Sequence, residues 1–160
     1  MHELYELAEA VVKDTARRGV TLATAESLTA GLIAATIADV PGASEVLLGG
    51  VVGYAPDVKR KVLKVKGIGD ADVVSADCAR QMAAGARELT GAKLAVSATG
   101  VAGPDGGSER TPVGTVFIGC AYGGRVWAEK YHFTGDRQAV RYDTVRQALR
   151  MIRNCMKGGQ

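Results

Sequence analysis

The sequence predicts an α/β fold: a three-layer α/β/α arrangement around a mixed sheet, built by residues 1–160 as one domain. Three observations carry this expectation. Short apolar runs of strand length alternate with longer stretches whose apolar residues recur at helical spacing. Hydrophobic residues make up 47% of the 160, enough for a core, and 21 glycines allow many tight turns. Gly123-Gly124 separates two strand-like runs, 113–122 and 125–133, as a two-residue hairpin signal, so at least one antiparallel pair sits at or near an edge.

In chain order, Leu4, Leu7, Ala8, Val11 and Val12 mark an amphipathic outer helix over 3–18, stopped by Arg17, Arg18 and Gly19. Thr21 to Ala25 reads as a strand, Glu26-Ser27 as a polar elbow, and 29–38 as a closely packed helix before the Pro41-Gly42 turn. The run 45–54 is apolar on both faces, with glycines at 49, 50 and 53, and reads as a buried strand. Pro56-Asp57 opens a short helix in which Lys61 is expected to pair with Asp57. Ser75 caps a helix to Leu89, with Cys78, Met82, Ala86 and Leu89 as its inner stripe and Gly91 as its stop. In the next strand Leu94, Val96 and Ala98 alternate with Ala95, Ser97 and Thr99, delivering Thr99 to the carboxyl end, where open α/β sheets bind ligands. Thr134-Gly135-Asp136 caps a final helix with Val145, Ala148, Leu149, Ile152 and Met156 inward.

Composition excludes several function classes. The formal charge of +3 comes from 20 basic and 17 acidic residues spread along the chain, and aromatic residues are 5%, so nucleic acid is a poor partner while an anionic small molecule suits. Cys78, Cys120 and Cys155 form no CxxC and read as core or near-surface thiols. No leader and no apolar run of membrane length is seen, so a cytoplasmic protein without a membrane partner is expected. His2 and His132 do not make a metal site, and a serine nucleophile here needs a base other than histidine.

Four features carry candidate chemistry. Ser27 stands where strand, turn and helix meet, beside unpaired N–H groups able to hold an anion or an oxyanion; it also reads as a plain helix N-cap. Lys59 shares a helix face with Val62 and Leu63 and points to the apolar side, where desolvation favours a neutral amine and hence a base; a snorkelling side chain fits the same spacing. The loop 100–114 matches neither a Walker A nor a GxGxxG pattern, yet its glycines allow close backbone approach to a ligand, or mark an ordinary surface loop. Arg137 and Arg141, one turn apart at a helix start, oppose the helix dipole and suggest either an anion clamp or a solvated helix end.

AESLTAG at 25–31, PGAS with LLGGVVGYAPDVK between 41 and 59, SATGVAGPDGG at 97–107, TPVGTV at 111–116 and FTGDRQAVR at 133–141 occur in order over nearly the whole chain. Together they resemble the CinA C-terminal domain family, which includes nicotinamide-nucleotide amidases. The resemblance implies deamidation of nicotinamide mononucleotide to nicotinate mononucleotide and ammonia in pyridine nucleotide salvage, with no cofactor and no metal. It implies Ser27 as nucleophile, Lys59 as base, and Tyr54 or Lys59 as proton donor to the ammonia. Thr29 and Gly31, at the start of the 29–38 helix, Thr99, the loop glycines Gly103, Gly106 and Gly107, and Arg137 with Arg141 are then the substrate-binding set. Family members are often homodimers. The chain departs from the family at Leu28 and Ala30, where cysteine and glycine are common, at Thr111 in place of a frequent lysine, and at Ala55, Pro56 and Asp57, where a hydroxyl and an amide that could orient substrate are lost. These departures keep open an alternative from another class, a nucleotide-binding or regulatory module without catalysis.

Overall fold

The computed structural model describes residues 2–158. Five strands form one sheet in the order β2-β1-β3-β4-β5, with β1 spanning Leu22–Glu26, β2 Leu47–Val52, β3 Leu94–Gly100, β4 Thr115–Tyr122 and β5 Arg125–His132. β2, β1 and β3 run parallel, whereas β3 to β4 and β4 to β5 are antiparallel, so the sheet is mixed and the hairpin lies at its edge.

Period-two alternation distributes the side chains of β3 between two layers. Leu94, Val96 and Ala98 join Val116, Ile118 and Cys120 beneath α1 (His2–Arg18), α2 (Leu32–Ala38) and α5 (Arg137–Gly158). Ala95 joins Ala23 and Ala25 beneath α3 (Pro56–Leu63) and α4 (Ala76–Thr90). The second face is built of small residues, and α4 lies close upon it. Ser97 Oγ donates to the Ala79 carbonyl at 2.6 Å, and a Cβ at Gly119 would stand 2.4 Å from that same oxygen. A Cβ at Gly85 would meet the Leu63 carbonyl at 2.1 Å, so glycine lets α4 seat the end of α3.

Four expectations are corrected. The predicted helix 29–38 starts only at Leu32, because 27–31 is spent on a turn. β2 is an edge strand rather than a buried one, with Leu48 and Val52 about half exposed, since strand order leaves it a single neighbour. Leu89 is exposed, and the buried face of α4 runs through Ala79 and Ala83 together with Cys78, Met82 and Ala86. Asp57 pairs with Arg60 at 2.9 Å, one turn on, instead of Lys61. No helix among the described residues is long and apolar enough to cross a membrane.

Candidate active site

The carboxyl ends of the three parallel strands converge on Ser27. Its N–H donates to the Ala98 carbonyl of β3 at 2.9 Å, while the Glu26 carbonyl accepts the N–H of Gly53, just beyond β2, at 2.8 Å. Backbone pairing on both sides thus holds the residue where open α/β sheets place ligands. Ser27 is 9% exposed, against 1% for Lys59 and 0% for Glu26, so the hydroxyl is the member of this group nearest solvent.

Lys59, on α3, reaches Ser27 from beneath. Its Nζ is 3.0 Å from Ser27 Oγ, 2.7 Å from the Gly53 carbonyl and 3.3 Å from the Tyr54 carbonyl. Burial lowers the Lys59 pKa from its ordinary 10.5, since an ammonium is poorly solvated there, while Cys78 acts weakly in the opposite sense. A neutral amine has two N–H donors and one lone pair. The two carbonyls can take the donors, leaving the lone pair to accept from the Ser27 hydroxyl, which is the arrangement a general base requires.

Ser27 is not the N-cap of α2. That position belongs to Gly31, at φ 96°, and it has no side-chain cap bond. The N-terminal donors of the helix are instead taken by Glu26, whose Oε1 accepts from Ile33 N–H at 2.8 Å and Oε2 from Ala34 N–H at 3.0 Å. The expected oxyanion donors of the 29–38 stretch are therefore narrowed, since Ile33 and Ala34 N–H are already taken by the buried Glu26 side chain. The N–H groups of Leu28, Thr29 and Gly31 meet no protein acceptor among the described residues, and these remain as donors beside Ser27. In the sequence Glu26 reads only as part of the elbow. An acidic residue just before a helix start, where the dipole favours negative charge, was the available signal.

Arg137 and Arg141 have different surroundings. Arg141 is half-buried and turned inward, with Nε donating to the Leu28 carbonyl at 2.8 Å and Nη2 to the Thr29 carbonyl at 3.1 Å. It braces the Ser27 turn with two of its five N–H donors. Arg137 is exposed and donates to the Gly103 carbonyl and to the Tyr54 hydroxyl, both at 2.8 Å, joining the glycine loop to the rim beside Lys59. A guanidinium has five N–H donors, so others remain for an anion. Tyr54 thus serves the group through its carbonyl on Lys59 and its phenol on Arg137, and the residue is 55% exposed.

Thr99 is buried and its hydroxyl donates to the Val73 carbonyl at 2.7 Å, so its proton is committed to the fold instead of to a ligand. Thr29 Oγ1 is buried without a partner among the described residues. Gly103 and Gly107 fold against their own loop, since a Cβ would meet Val113 at 2.5 Å and 2.8 Å respectively, while Gly106 stands at φ 91°. The changed stretch 55–57 begins α3: Ala55 is its N-cap, without a side-chain bond, and Pro56 its first residue, so these substitutions alter how the helix starts. His132 is bonded through Nε2 to the Val113 carbonyl at 3.1 Å, and no group of metal-ligating side chains occurs among the described residues.

The CinA C-terminal domain family matches residues 4–156. A CinA-like protein of Thermotoga maritima is 41% identical over 155 residues, which are 96% of this chain and 38% of that protein. A CinA-like protein of Geobacter sulfurreducens is 44% identical over 146 residues, 90% of this chain and 35% of that protein. The chain therefore spans under two-fifths of the length of these curated relatives. Among solved structures, a CinA superfamily protein from Klebsiella pneumoniae superposes with a TM-score of 0.92 at 33% identity, covering 97% of this chain and 98% of that one. A competence/damage inducible protein from Agrobacterium tumefaciens gives 0.88 at 37% identity, covering 96% and 95%.

Proposed function

The chain belongs to the CinA C-terminal domain family, and on that premise we propose that it is an amidohydrolase converting nicotinamide mononucleotide and water to nicotinate mononucleotide and ammonia in the cytoplasm. The observation that carries the reading is the buried Lys59 amine 3.0 Å from Ser27 Oγ. Ser27 Oγ attacks the carboxamide carbon while neutral Lys59 accepts its proton. The oxyanion so formed is held by the Leu28 and Thr29 N–H groups, an interaction worth about 10²- to 10³-fold in rate in other hydrolases. Lys59 then passes the proton to the amide nitrogen, the C–N bond breaks and ammonia leaves, with Ser27 as its ester. Water attacks that ester with Lys59 again accepting a proton, and Ser27 regains its hydrogen as nicotinate mononucleotide is released. Lys59 carries both transfers, because its Nζ lies 3.0 Å from Ser27 Oγ whereas the Tyr54 phenol sits at the rim, accepting from Arg137.

Arg137 holds the phosphate as a charge-assisted pair, and the 103–107 loop closes the nucleotide side. The test is ammonia release from nicotinamide mononucleotide by the purified protein beside Ser27→Ala. Release by the parent alone supports the proposal. A parent that binds the nucleotide by calorimetry but releases no ammonia overturns it in favour of a binding module.

A further inference from the structure

A cleft of about 520 Å³ lies away from Ser27, between β5 and the C-terminal half of α5. Arg125, Trp127, Arg150, Asn154 and Cys155 line it, and the Arg125 guanidinium stacks 4.5 Å from the centre of the Trp127 ring. Cys155 is half-buried at its wall. Behind it, on β4, lies Cys120, fully buried and opposite Trp127 in the β4–β5 register. The two sulfur atoms are 3.9 Å apart although 35 residues separate them in sequence.

We propose that Cys155 and Cys120 form a thiol-modification site for low-molecular-weight disulfides, with Cys155 as the attacking thiol and Cys120 as the resolving one. Position divides the roles: only Cys155 reaches the cleft, and only Cys120 stands behind it within side-chain rotation of a bond. Closing 3.9 Å to the disulfide length of about 2 Å requires the two side chains to turn toward each other. The electrostatics run in the same direction. The contact between the two sulfurs lowers the Cys155 pKa, against an opposing effect of burial and with Arg125 acting alike, whereas that same contact followed by burial raises Cys120. Cys78 does not compete, since burial pushes its thiol up to about 11.

The exchange balances without a further reagent. The Cys155 thiolate attacks one sulfur of the small disulfide, whose S–S bond breaks to expel one thiolate. Cys120, giving up its proton, attacks the Cys155 sulfur of the mixed disulfide and expels the second. Both leaving thiolates take up a proton. The protein loses two protons and two electrons as a Cys120–Cys155 disulfide, and the small disulfide is reduced to two thiols.

Glutathione disulfide is the probe, added to the reduced protein before thiol alkylation and peptide mapping. The expected product is an intact mass lower by two hydrogens, with one peptide pair joined through Cys120 and Cys155. Cys120→Ser is expected to stop at one glutathione on Cys155, and Cys155→Ser to give neither adduct nor disulfide. Full alkylation of both cysteines in the treated parent overturns the proposal, as does a disulfide between two copies or an equal adduct on Cys155→Ser. Should Cys120→Ser fail to fold by circular dichroism, the parent map decides alone.

Discussion

Arg141 donates from Nε to the carbonyl of Leu28 at 2.8 Å, across 113 residues of sequence, and thereby sets the Leu28–Thr29 peptide plane, one residue beyond Ser27. A trans peptide carries its carbonyl and its N–H on opposite sides, so fixing the Leu28 oxygen also fixes where the Thr29 N–H points. Arg141→Ala is expected to lower kcat with little change in KM, by up to the about 10²-fold typical of a lost oxyanion donor. Arg141→Lys, which keeps charge but loses the two-pronged grip, should fall between. Steady-state ammonia release is the measurement, and an unchanged kcat in Arg141→Ala would sink the assignment.

Lys59 has a depressed pKa, so the buried ammonium is a cost carried by the folded protein at low pH. The sign is set by proton counts: between the native pKa and the ordinary 10.5 the unfolded chain binds the proton and the native protein does not. Stability of the parent relative to Lys59→Met should therefore rise with pH across that window and level off above it. Activity should rise through an acid limb centred below 10.5, and Lys59→Ala should be inactive yet folded. Urea midpoints and kcat as functions of pH check the two together.

Glu26 is the buried cap of α2, and its loss leaves two backbone donors unpaired. Glu26→Ala should destabilise the protein by about 3 kcal/mol, and Glu26→Gln, which keeps one acceptor, by about 1 kcal/mol. Urea unfolding separates these values. Equal stability of Glu26→Ala and the parent would show that the N–H groups find another partner.

Ala30 sits at φ 49° and is exposed, so its Cβ is strained and buries little. The left-handed conformation costs an alanine about 1–2 kcal/mol, while glycine adds about 0.4–1 kcal/mol of freedom to the unfolded chain. Ala30→Gly should consequently stabilise by about 0.5 kcal/mol or slightly more. A lowered melting temperature would contradict this balance.

Arg137 joins Tyr54 to the Gly103 carbonyl at the rim. Arg137→Ala should raise KM for nicotinamide mononucleotide far more than it changes kcat, and leave turnover of the phosphate-free nucleoside unaffected. Tyr54→Phe should act in the same direction, more weakly. A fall confined to kcat in Tyr54→Phe would instead assign its phenol to proton transfer.

Much of this molecule was legible in one dimension because the signals are local. Apolar spacing foretold the helices, alternation foretold the two faces of β3, and Gly123-Gly124 foretold the hairpin. Lys59 could be directed toward the core from its own helix face alone. Ser27 stood out through a strand-to-helix junction readable within ten residues. What required the tertiary structure is every relationship between distant segments. The edge position of β2 follows from strand order, which no single strand encodes. Arg137 and Arg141 are equivalent by spacing, yet one faces the rim and the other the underside of the Ser27 turn, because only folding brings Leu28 and Gly103 to that helix. Glu26 looks like any acidic elbow residue until the turn curls α2 back over it and its carboxylate meets two free N–H groups. Sequence thus determined which residues could carry chemistry, through propensity and periodicity, while packing alone decided which polar groups were already satisfied and which remained without a protein partner.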